Sequence, residues 1–335
     1  MPEIDPIQSM LDRTETERTD LDAKLKDKPL LLFFIGQKAS GKGTRSKLLQ
    51  KAFPDHFEQI SAGDLARELQ QRLSEEDIEK VADELAEHFP ENISREEIHE
   101  MLEPFVELEG SRLKATEVIL ALIKKALADT PEKSIILDGF PRSPEQVENA
   151  LELIDHFEQE GYYPLFVNVD TPYEVRDARM RHRRVCPICQ NSKNITLWPS
   201  TKFDYDPDSG EVFMLCDEEN CELVRMVAKD YDDQGAEAMK DRDQITQDLV
   251  DHLHEHHPEY TVSIKNAIPE ENVDQYEPHD LTEVTNLEWD PEKKEVVVST
   301  EPWVLEDEEG KKYYSGNPET WVVDFIKELH KHYED

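Results

Sequence analysis

Glycines and lysines crowd a short segment that directly follows an apolar run. The pattern Gly36-x4-Gly41-Lys42 comes after the strand-like sequence PLLLFFI and opens a helix-like sequence. The glycines allow unusual backbone angles, so successive N–H groups can point into one concavity at a helix N-terminus. Lys42 adds a full positive charge there. The pattern predicts a loop that binds phosphates, and the alternative is an ordinary glycine-rich turn between a strand and a helix.

The residue after Lys42 departs from the general phosphate-loop motif, which places Ser or Thr there to hold Mg²⁺. Gly43 occupies that position and Thr44 follows it. Because Mg²⁺ keeps several waters in its sites, we expect it to be held mainly by phosphate oxygens and water, with carboxylates reaching it through water.

Two further apolar runs are followed by charged side chains. Asp138 follows SIIL, at the sheet edge where α/β proteins form their sites, and can hold Mg²⁺ through water; capping a helix is its alternative role. Arg142 follows Pro141 and can clamp a phosphate with its guanidinium. Five arginines lie between Arg176 and Arg184, after the run PLFVNV. They favour a phosphate site over a solvated helix face.

The four cysteines fall in two close pairs, Cys186-Pro-Ile-Cys189 and Cys216-x4-Cys221. Thiolates paired in this way form tetrahedral zinc sites, so we expect the two pairs together to hold one structural Zn²⁺. Disulfides or free thiols are the alternative. A zinc ribbon that binds nucleic acid fits the charge of the chain poorly.

The 335 residues carry a formal net charge of −39. Binding a nucleic-acid backbone requires a basic surface, so this charge argues against that class of partner. A solvated acidic surface explains the charge, and a specific basic partner is the alternative. The sequence has no run of about 18 apolar residues and no signal-peptide core at its start. We expect a cytoplasmic protein with no membrane partner and no nucleic-acid partner.

The apolar runs alternate with helical patterns such as TEVILALIKKALAD, which indicates an α/β fold with a parallel sheet flanked by helices. We expect a polar helical extension at the start, with too few apolar positions for a core helix. The closing sequence ETWVVDFIKELHKHY predicts a helix packed on the sheet. The expected boundaries are 1–28 for the extension, 29–61, 117–181 and 234–335 for the core, 62–116 and 182–233 for two inserted subdomains, and 265–318 for an atypical insertion containing the strand-like run KEVVVST.

Four stretches taken together resemble the adenylate kinase family: GKGT, ISAGDLARE, LDGFPRSPEQ and RMRHRRVCPIC, in this order. The resemblance covers residues 29–245. It implies a P-loop NTPase-type core with an acceptor-binding subdomain at 62–116 and a lid at 182–233. It also implies reversible transfer of the terminal phosphoryl group from Mg²⁺-bound ATP to AMP, giving two ADP, by a protein that we expect to be a monomer. The cysteine segment resembles the zinc-bearing lid of some bacterial adenylate kinases.

The resemblance assigns roles to individual residues. It implies catalytic roles for Lys42, Asp138, Arg142, Arg179 and Arg183. It implies ATP contacts for Ala39, Ser40, Gly41, Lys42, Gly43, Thr44, Arg179 and Arg183. It implies AMP contacts for Ala62, Arg67, Arg112, Leu113, Lys114, Gly139, Phe140, Pro141, Arg142, Gln146 and Arg242.

Several positions depart from the family's pattern. Ala62 stands where adenylate kinases usually carry Thr, and SAGD looks more like UMP/CMP kinases, which commonly have Asn in place of Gln146. A glutamine amide fits the N1/N6 edge of adenine, so AMP is the expected acceptor and UMP or CMP the alternative. Asp230 stands where an arginine is usual, and Arg242 matches a second phosphate arginine only with one inserted residue. A catalytically weak nucleotide-binding regulatory protein is therefore the alternative from another class.

Overall fold

The computed structural model describes residues 5–106, 116–130, 133–189, 191–219, 221, 223–228, 235, 237, 239–307 and 309–333. Its strands are β1 (Leu30–Ile35), β2 (Phe57–Ser61), β3 (Ser134–Asp138), β4 (Tyr163–Asp170), β5 (Arg183–Val185), β6 (Ser192–Asn194), β7 (Lys202–Asp206), β8 (Glu211–Leu215), β9 (Thr261–Lys265), β10 (Ile268–Pro269), β11 (Glu283–Asp290), β12 (Glu295–Pro302), β13 (Val304–Glu306) and β14 (Lys312–Tyr314). Its α-helices are α1 (Pro6–Arg13), α2 (Glu15–Asp27), α3 (Lys42–Ala52), α4 (Ala62–Glu75), α5 (Ile78–Leu85), α6 (Arg95–Val106), α7 (Thr116–Ala128), α8 (Val147–Gln159), α9 (Tyr173–Arg181), α10 (Lys240–His256) and α11 (Pro318–His332).

Five parallel strands form the central sheet in the order β2-β3-β1-β4-β9. The three apolar runs of the sequence form its three middle strands, which are buried on both faces. The two edge strands were missed, because FEQIS and TVSIK carry polar residues and give no continuous apolar run. The expected α/β fold with a P-loop NTPase-type parallel sheet is confirmed.

Helices cover both faces of the sheet, and alternate residues of β1 show how the layers divide. Leu31 and Phe33 belong to a cluster with residues of α4 to α8 and α10. Leu32 and Phe34 belong to a second cluster, with residues of α1, α2, α3 and α11. Because successive side chains of a strand point to opposite faces, one fully buried strand joins two hydrophobic layers.

The N-terminal extension packs on the core, contrary to the expectation from its sparse apolar positions. Asp5 caps α1 by accepting a hydrogen bond from the Ile7 N–H at 2.9 Å. Met10, Leu21 and Leu25 are buried in the cluster that includes α11. Three buried side chains suffice to pack the extension because α11 offers a broad apolar face. Helix α11 was expected from the sequence, and it does pack on the sheet.

The segment 265–318 has an architecture of its own. Strands β10, β14 and β13 form a small sheet, and β11 and β12 form an antiparallel hairpin that contains the run KEVVVST. Asp280 anchors the segment to the core, since it pairs with Arg13 of α1 and accepts a hydrogen bond from the Thr320 hydroxyl of α11. The N-terminal extension and the segment 265–318, neither of which has an assigned role, therefore contact each other directly.

The hairpin also reaches the segment 182–233. The ring of Trp289 stacks on that of Tyr205 in β7, with centroids 4.5 Å apart and planes 4° from parallel. The Thr285 N–H donates to the Thr196 carbonyl at 2.7 Å. The hairpin thus links the cysteine-bearing segment to the core through contacts additional to the chain itself.

No helix among the residues described is both long and apolar enough to cross a membrane.

We predict that the stack of Trp289 on Tyr205 is energetically coupled. Trp289→Ala, Tyr205→Ala and the double variant should give a coupling energy of about 0.5–1.5 kcal/mol, as measured for aromatic pairs. Urea unfolding followed by circular dichroism gives the three free energies of unfolding. Tyr205→Phe is the control, because it keeps the stacked ring and should cost little. Strictly additive single-variant effects would contradict the prediction.

Candidate functional site: a phosphate loop with converging cations

The loop between β1 and α3 requires glycine at two positions. Gly41, the residue before α3, has a φ of +90°, and Gly36 has a φ of +138°. A Cβ added at Gly36 would lie 2.8 Å from the Val169 carbonyl oxygen, and one added at Gly41 would clash with the Arg45 guanidinium. Residues with a side chain rarely adopt these backbone angles. The loop geometry therefore requires glycine at the two positions where the sequence motif has it.

A cavity of about 510 Å³ opens at the carboxyl edge of the sheet. The phosphate loop, the end of β3 with its following turn, and α10 all contribute to its walls. Of the residues expected to bind nucleotide, it is lined by Ala39, Gly41, Lys42, Gly43, Thr44, Asp138, Gly139, Pro141, Arg142 and Arg242. Residues from three distant parts of the sequence therefore meet in one space.

Lys42 lies inside this cavity and is turned toward its own loop. Its Nζ donates to the carbonyl oxygens of Gly36 at 2.7 Å and Gln37 at 3.3 Å. Burial lowers the pKa of Lys42 to about 8, although the carboxylate of Asp138 favours the charged form. An anion in the cavity would therefore stabilise the charged Lys42 ammonium and offset the free-energy cost of its burial.

Asp138 ends β3 and caps no helix. The next short helical turn begins at Pro144 and has Ser143 as its N-cap residue, which excludes the capping alternative. Burial raises the pKa of Asp138, and the neighbouring Lys42 and Arg142 oppose that shift. A cavity-lining carboxylate beside a phosphate loop has the chemistry needed to reach Mg²⁺ through water.

Arg142 is fixed from two sides. Its Nε donates to the Gly139 carbonyl at 2.6 Å, and its backbone N–H donates to the Gln146 side-chain oxygen at 2.8 Å. The Gln146 amide nitrogen in turn donates to the Thr116 hydroxyl at 3.3 Å. A Cβ built on Gly63 would meet the guanidinium of Arg142 at 3.4 Å and that of Arg67 at 3.6 Å. Two guanidiniums thus converge over one glycine.

The other residues expected to contact AMP differ in their surroundings. Ala62 and Phe140 are buried, and the guanidinium of Arg67 also pairs with Asp64. Arg112, Leu113 and Lys114 lie outside the described residues, as does Asp230.

Arg179 lies behind the phosphate loop rather than in the cavity. Its Nη1 donates to the Ala39 carbonyl at 3.2 Å and the Ser40 carbonyl at 3.1 Å, and its guanidinium lies 5.3 Å from the Trp198 ring centroid. Burial lowers the pKa of Arg179 to about 10. Arg183 begins β5 and is half-buried, and neither arginine lines the cavity that the described residues enclose.

The arginines between Arg176 and Arg184 do not converge on one site. Arg176 is buried and forms an ion pair with Asp243 of α10, so it joins two helices. Arg242 precedes that aspartate and lines the cavity, and it lies close enough to Lys42 and Arg142 to lower the pKa of each. Arg242, which matches the family's second phosphate arginine only with one inserted residue, thus lies at the cavity.

The sequence reasoning missed Lys47 and Thr246, which also line the cavity. Lys47 lies three residues after Thr44, so both occupy one face of α3. That spacing was a usable signal. Thr246 gave none, because its position depends on how α10 packs across the loop.

The four cysteine sulfur atoms form one cluster, all within 4.8 Å of one another. Sγ of Cys186 lies 3.8 Å from that of Cys221, and Sγ of Cys189 lies 3.7 Å from that of Cys216. A tetrahedron with Zn–S bonds of about 2.3 Å has sulfur atoms about 3.8 Å apart. All four are free cysteines in this structure, and their spacing fits a tetrahedral metal, with free thiols as the alternative.

Comparison with known proteins finds adenylate kinases. The adenylate kinase of Staphylococcus epidermidis is 24% identical over 239 residues, covering 66% of this chain and 98% of that protein. That of Thermotoga neapolitana is 27% identical over 203 residues, covering 60% of this chain and 79% of the relative. That of Staphylococcus aureus is 24% identical over 238 residues. No protein-family model matches the chain. The resemblance that the motifs predicted is confirmed, and a third of the chain lies outside it.

We predict that polyphosphate binding weakens above pH 8. A phosphate ligand favours the charged form of Lys42, whose pKa is about 8 without ligand. Below that pH the ammonium is already charged, and above it binding must take up a proton. The dissociation constant for tripolyphosphate should therefore rise by up to about tenfold per pH unit between pH 8 and 9.5. Calorimetric titrations at several pH values measure it.

Lys42→Arg is the matched control for this pH dependence. Its guanidinium stays charged across the range, so its affinity should change less with pH than that of the wild type. Equal pH profiles for the two proteins would show that Lys42 does not titrate in binding.

We also predict that the cysteine cluster binds one Zn²⁺ per chain. Elemental analysis of the purified protein should find one equivalent, and Cys216→Ser should lose it and lower the melting temperature. Met214→Leu is the control, since Met214 is buried in the same cluster and supplies none of the four thiolates. Metal-free protein that melts at the same temperature as metal-loaded protein would contradict a structural role.

Proposed function

We propose that this chain, a relative of the adenylate kinases, reversibly transfers the terminal phosphoryl group of ATP to AMP and so forms two ADP. One observation carries the proposal. In a chain of net charge −39, three cations from separate elements, Lys42, Arg142 and Arg242, line the same cavity as a glycine-rich phosphate loop. Such a local reversal of charge suits a polyanion that is longer than one phosphate.

The donor would bind along the phosphate loop. The N-terminus of α3 and the N–H groups of the loop would hold the β- and γ-phosphates, and Lys42 would turn from the Gly36 and Gln37 carbonyls toward them. Mg²⁺ bound with ATP would neutralise charge on the phosphates, and Thr44 and Asp138 are the residues that could reach it. Arg179 and Arg183 would join the donor when the segment 182–233 closes as a lid.

The acceptor phosphate would bind where the guanidiniums of Arg67 and Arg142 converge over Gly63. The Gln146 amide already accepts one hydrogen bond from Arg142 and donates one to Thr116. One acceptor lone pair and one N–H remain, which match the N6 amino group and N1 of adenine. The amino group and N3 of cytosine offer the same pair, so these two groups of Gln146 fit AMP and CMP alike, and the likeness to adenylate kinases favours AMP. The subdomain 62–116 would hold the acceptor.

The reaction needs no covalent intermediate on the protein. An oxygen of the acceptor phosphate forms a bond to the terminal phosphorus of ATP while the bond to the bridging oxygen breaks. Charge spreads over the transferred oxygens, and Lys42, Arg142 and Arg242 would stabilise it. Closure of the lid would exclude water, which would otherwise accept the phosphoryl group. Cys186, Cys189, Cys216 and Cys221 would hold a structural zinc that stiffens the lid.

The decisive test is turnover with a set of acceptors. Wild-type protein with Mg-ATP should convert AMP to ADP with a higher kcat/KM than UMP, CMP, GMP or dTMP, followed by a coupled ADP assay. A preference for UMP or CMP would replace the acceptor assignment, and nucleotide binding without turnover on any acceptor would support the regulatory alternative.

Two substitutions test the residues. Lys42→Ala and Arg142→Ala should each lower kcat by about 100-fold or more, the usual loss for a preorganised charge donor, without changing the circular dichroism spectrum. Lys51→Ala, at the far end of α3, and Arg95→Ala, at the start of α6, are the matched controls; both side chains are exposed, and both variants should keep full activity. Near-normal turnover by either site variant would overturn the site assignment.

A further inference from the structure

Arg45 is a charged residue in the protein interior beside the phosphate loop. It lies in the first turns of α3, three residues after Lys42. Among the residues that the structure describes, it is the largest fully buried side chain, with 0% exposure. Its guanidinium turns back to the helix N-terminus, where Nη1 donates to the Ser40 carbonyl at 2.7 Å. A cation there also opposes the positive end of the helix dipole.

No carboxylate within the described part of the chain forms an ion pair with Arg45. Its Nε and Nη2 are buried and have no hydrogen-bond partner there. The guanidinium carbon also lies 5.1 Å from the centroid of the Trp321 ring, and the carboxylate of Glu319 favours the charged form of Arg45 through space, without an ion pair. A buried charge without a direct partner is destabilising, so an anion bound nearby would add to the stabilisation of Arg45.

The unpartnered atoms concentrate around the loop. Among described residues, five buried side-chain nitrogen and oxygen atoms have no partner, and four of them belong to Ser40, Arg45 and Arg179. The Ser40 carbonyl accepts hydrogen bonds from Arg45, from Arg179 at 3.1 Å and from the Thr171 hydroxyl at 3.1 Å. Two guanidiniums thus meet at one peptide group, and burial and Arg179 together lower the pKa of Arg45, while the carboxylate of Glu319 opposes that shift.

A single layer of backbone separates these guanidiniums from the cavity. Gly41 lines the cavity, and a Cβ built on it would clash with Nη1 of Arg45 and lie 3.4 Å from Nη1 of Arg179. Arg45 itself does not line the cavity. Charges separated by dry protein interact far more strongly than charges in water, so a phosphate in the loop would feel Arg45 without touching it.

We propose that Arg45 is a positioning residue for the donor phosphates, and that bound polyphosphate supplies a counter-charge to a guanidinium that forms no ion pair with the described residues. It would act in two ways. Its hydrogen bond fixes the Ser40 carbonyl behind the loop, which leaves the loop N–H groups facing the cavity. Its charge, which has no ion-pair partner among the described residues, favours the anion-bound state. The inference rests on the proposed donor site. It adds to that site a residue, Arg45, that would not touch the nucleotide.

The test compares binding of inorganic tripolyphosphate, without Mg²⁺, by calorimetry. Arg45→Gln removes the charge and keeps a polar amide on a side chain two atoms shorter. We expect its dissociation constant to rise tenfold or more, while the melting temperature of the ligand-free protein stays equal or rises, because an unpaired buried charge is gone. A purely structural role would instead lower the melting temperature and leave the affinity unchanged.

Arg18→Gln is the matched control. Arg18 is partly buried and donates to the carbonyls of Leu11 and Ala52, away from the cavity. Its loss should leave tripolyphosphate affinity within twofold. Wild-type protein that fails to bind tripolyphosphate would refute the donor site itself. Wild-type binding with an Arg45→Gln affinity within twofold would refute only the role of Arg45.

Arg45→Lys keeps the test decisive if Arg45→Gln does not fold. A buried ammonium loses its proton more readily than a guanidinium, so the tripolyphosphate affinity of Arg45→Lys should fall more steeply than that of the wild type between pH 6.5 and 9. Both proteins bind the same ligand, and the titration of the ligand therefore cancels in the comparison. Parallel pH profiles would overturn the proposal.

Discussion

Backbone carbonyls hold four of the cations at or behind the proposed phosphate site. Lys42 donates to the Gly36 and Gln37 carbonyls, Arg142 to Gly139, and Arg45 and Arg179 both to Ser40. A carbonyl fixes a cation without neutralising it, whereas the Arg176–Asp243 ion pair cancels charge. The site therefore keeps a net positive charge inside a strongly acidic protein. The glycines, the strand ends and α10 all serve to bring these groups to one edge of the sheet.

The fold was predictable wherever a continuous apolar run had a strand's length. The three middle strands and α11 followed from their patterns, and the loop followed from glycine spacing next to β1. The edge strands β2 and β9 were not predictable, because each mixes polar with apolar residues and is recognisable only by its pairing. The N-terminal helices were misjudged for a similar reason: Met10, Leu21 and Leu25 are few, and only the opposing face of α11 makes them part of a core.

The candidate site was predictable as a set of residue types but less so as an arrangement. Lys42, Asp138 and Arg142 follow strands whose ends must share an edge, so their convergence follows from topology. Arg179 was expected in the same cleft, yet it lies behind the loop, because its guanidinium finds carbonyl acceptors there. The buried position of Arg45 could not be read from its sequence neighbours, since the same helical position faces solvent or core depending on where α11 packs.

The segments outside the similarity to adenylate kinases form a connected structure. The extension α1–α2 meets the insertion 265–318 at Arg13 and Asp280, and the insertion meets the cysteine-bearing segment at Trp289 and Tyr205. The movement of a lid over the donor would have to carry or break this last contact. The extra third of the chain is thus joined to the core at α1 and α11 and to the cysteine-bearing segment at Tyr205.

The most direct measurement of the central claim is a crystal structure with a molecule in which two adenosines are joined by a chain of five phosphates. The account predicts the phosphate chain in the cavity, with one end on the loop at Lys42 and the other at Arg142 and Arg242. Phosphates bound elsewhere, or a loop whose lysine still contacts the Gly36 carbonyl, would contradict it.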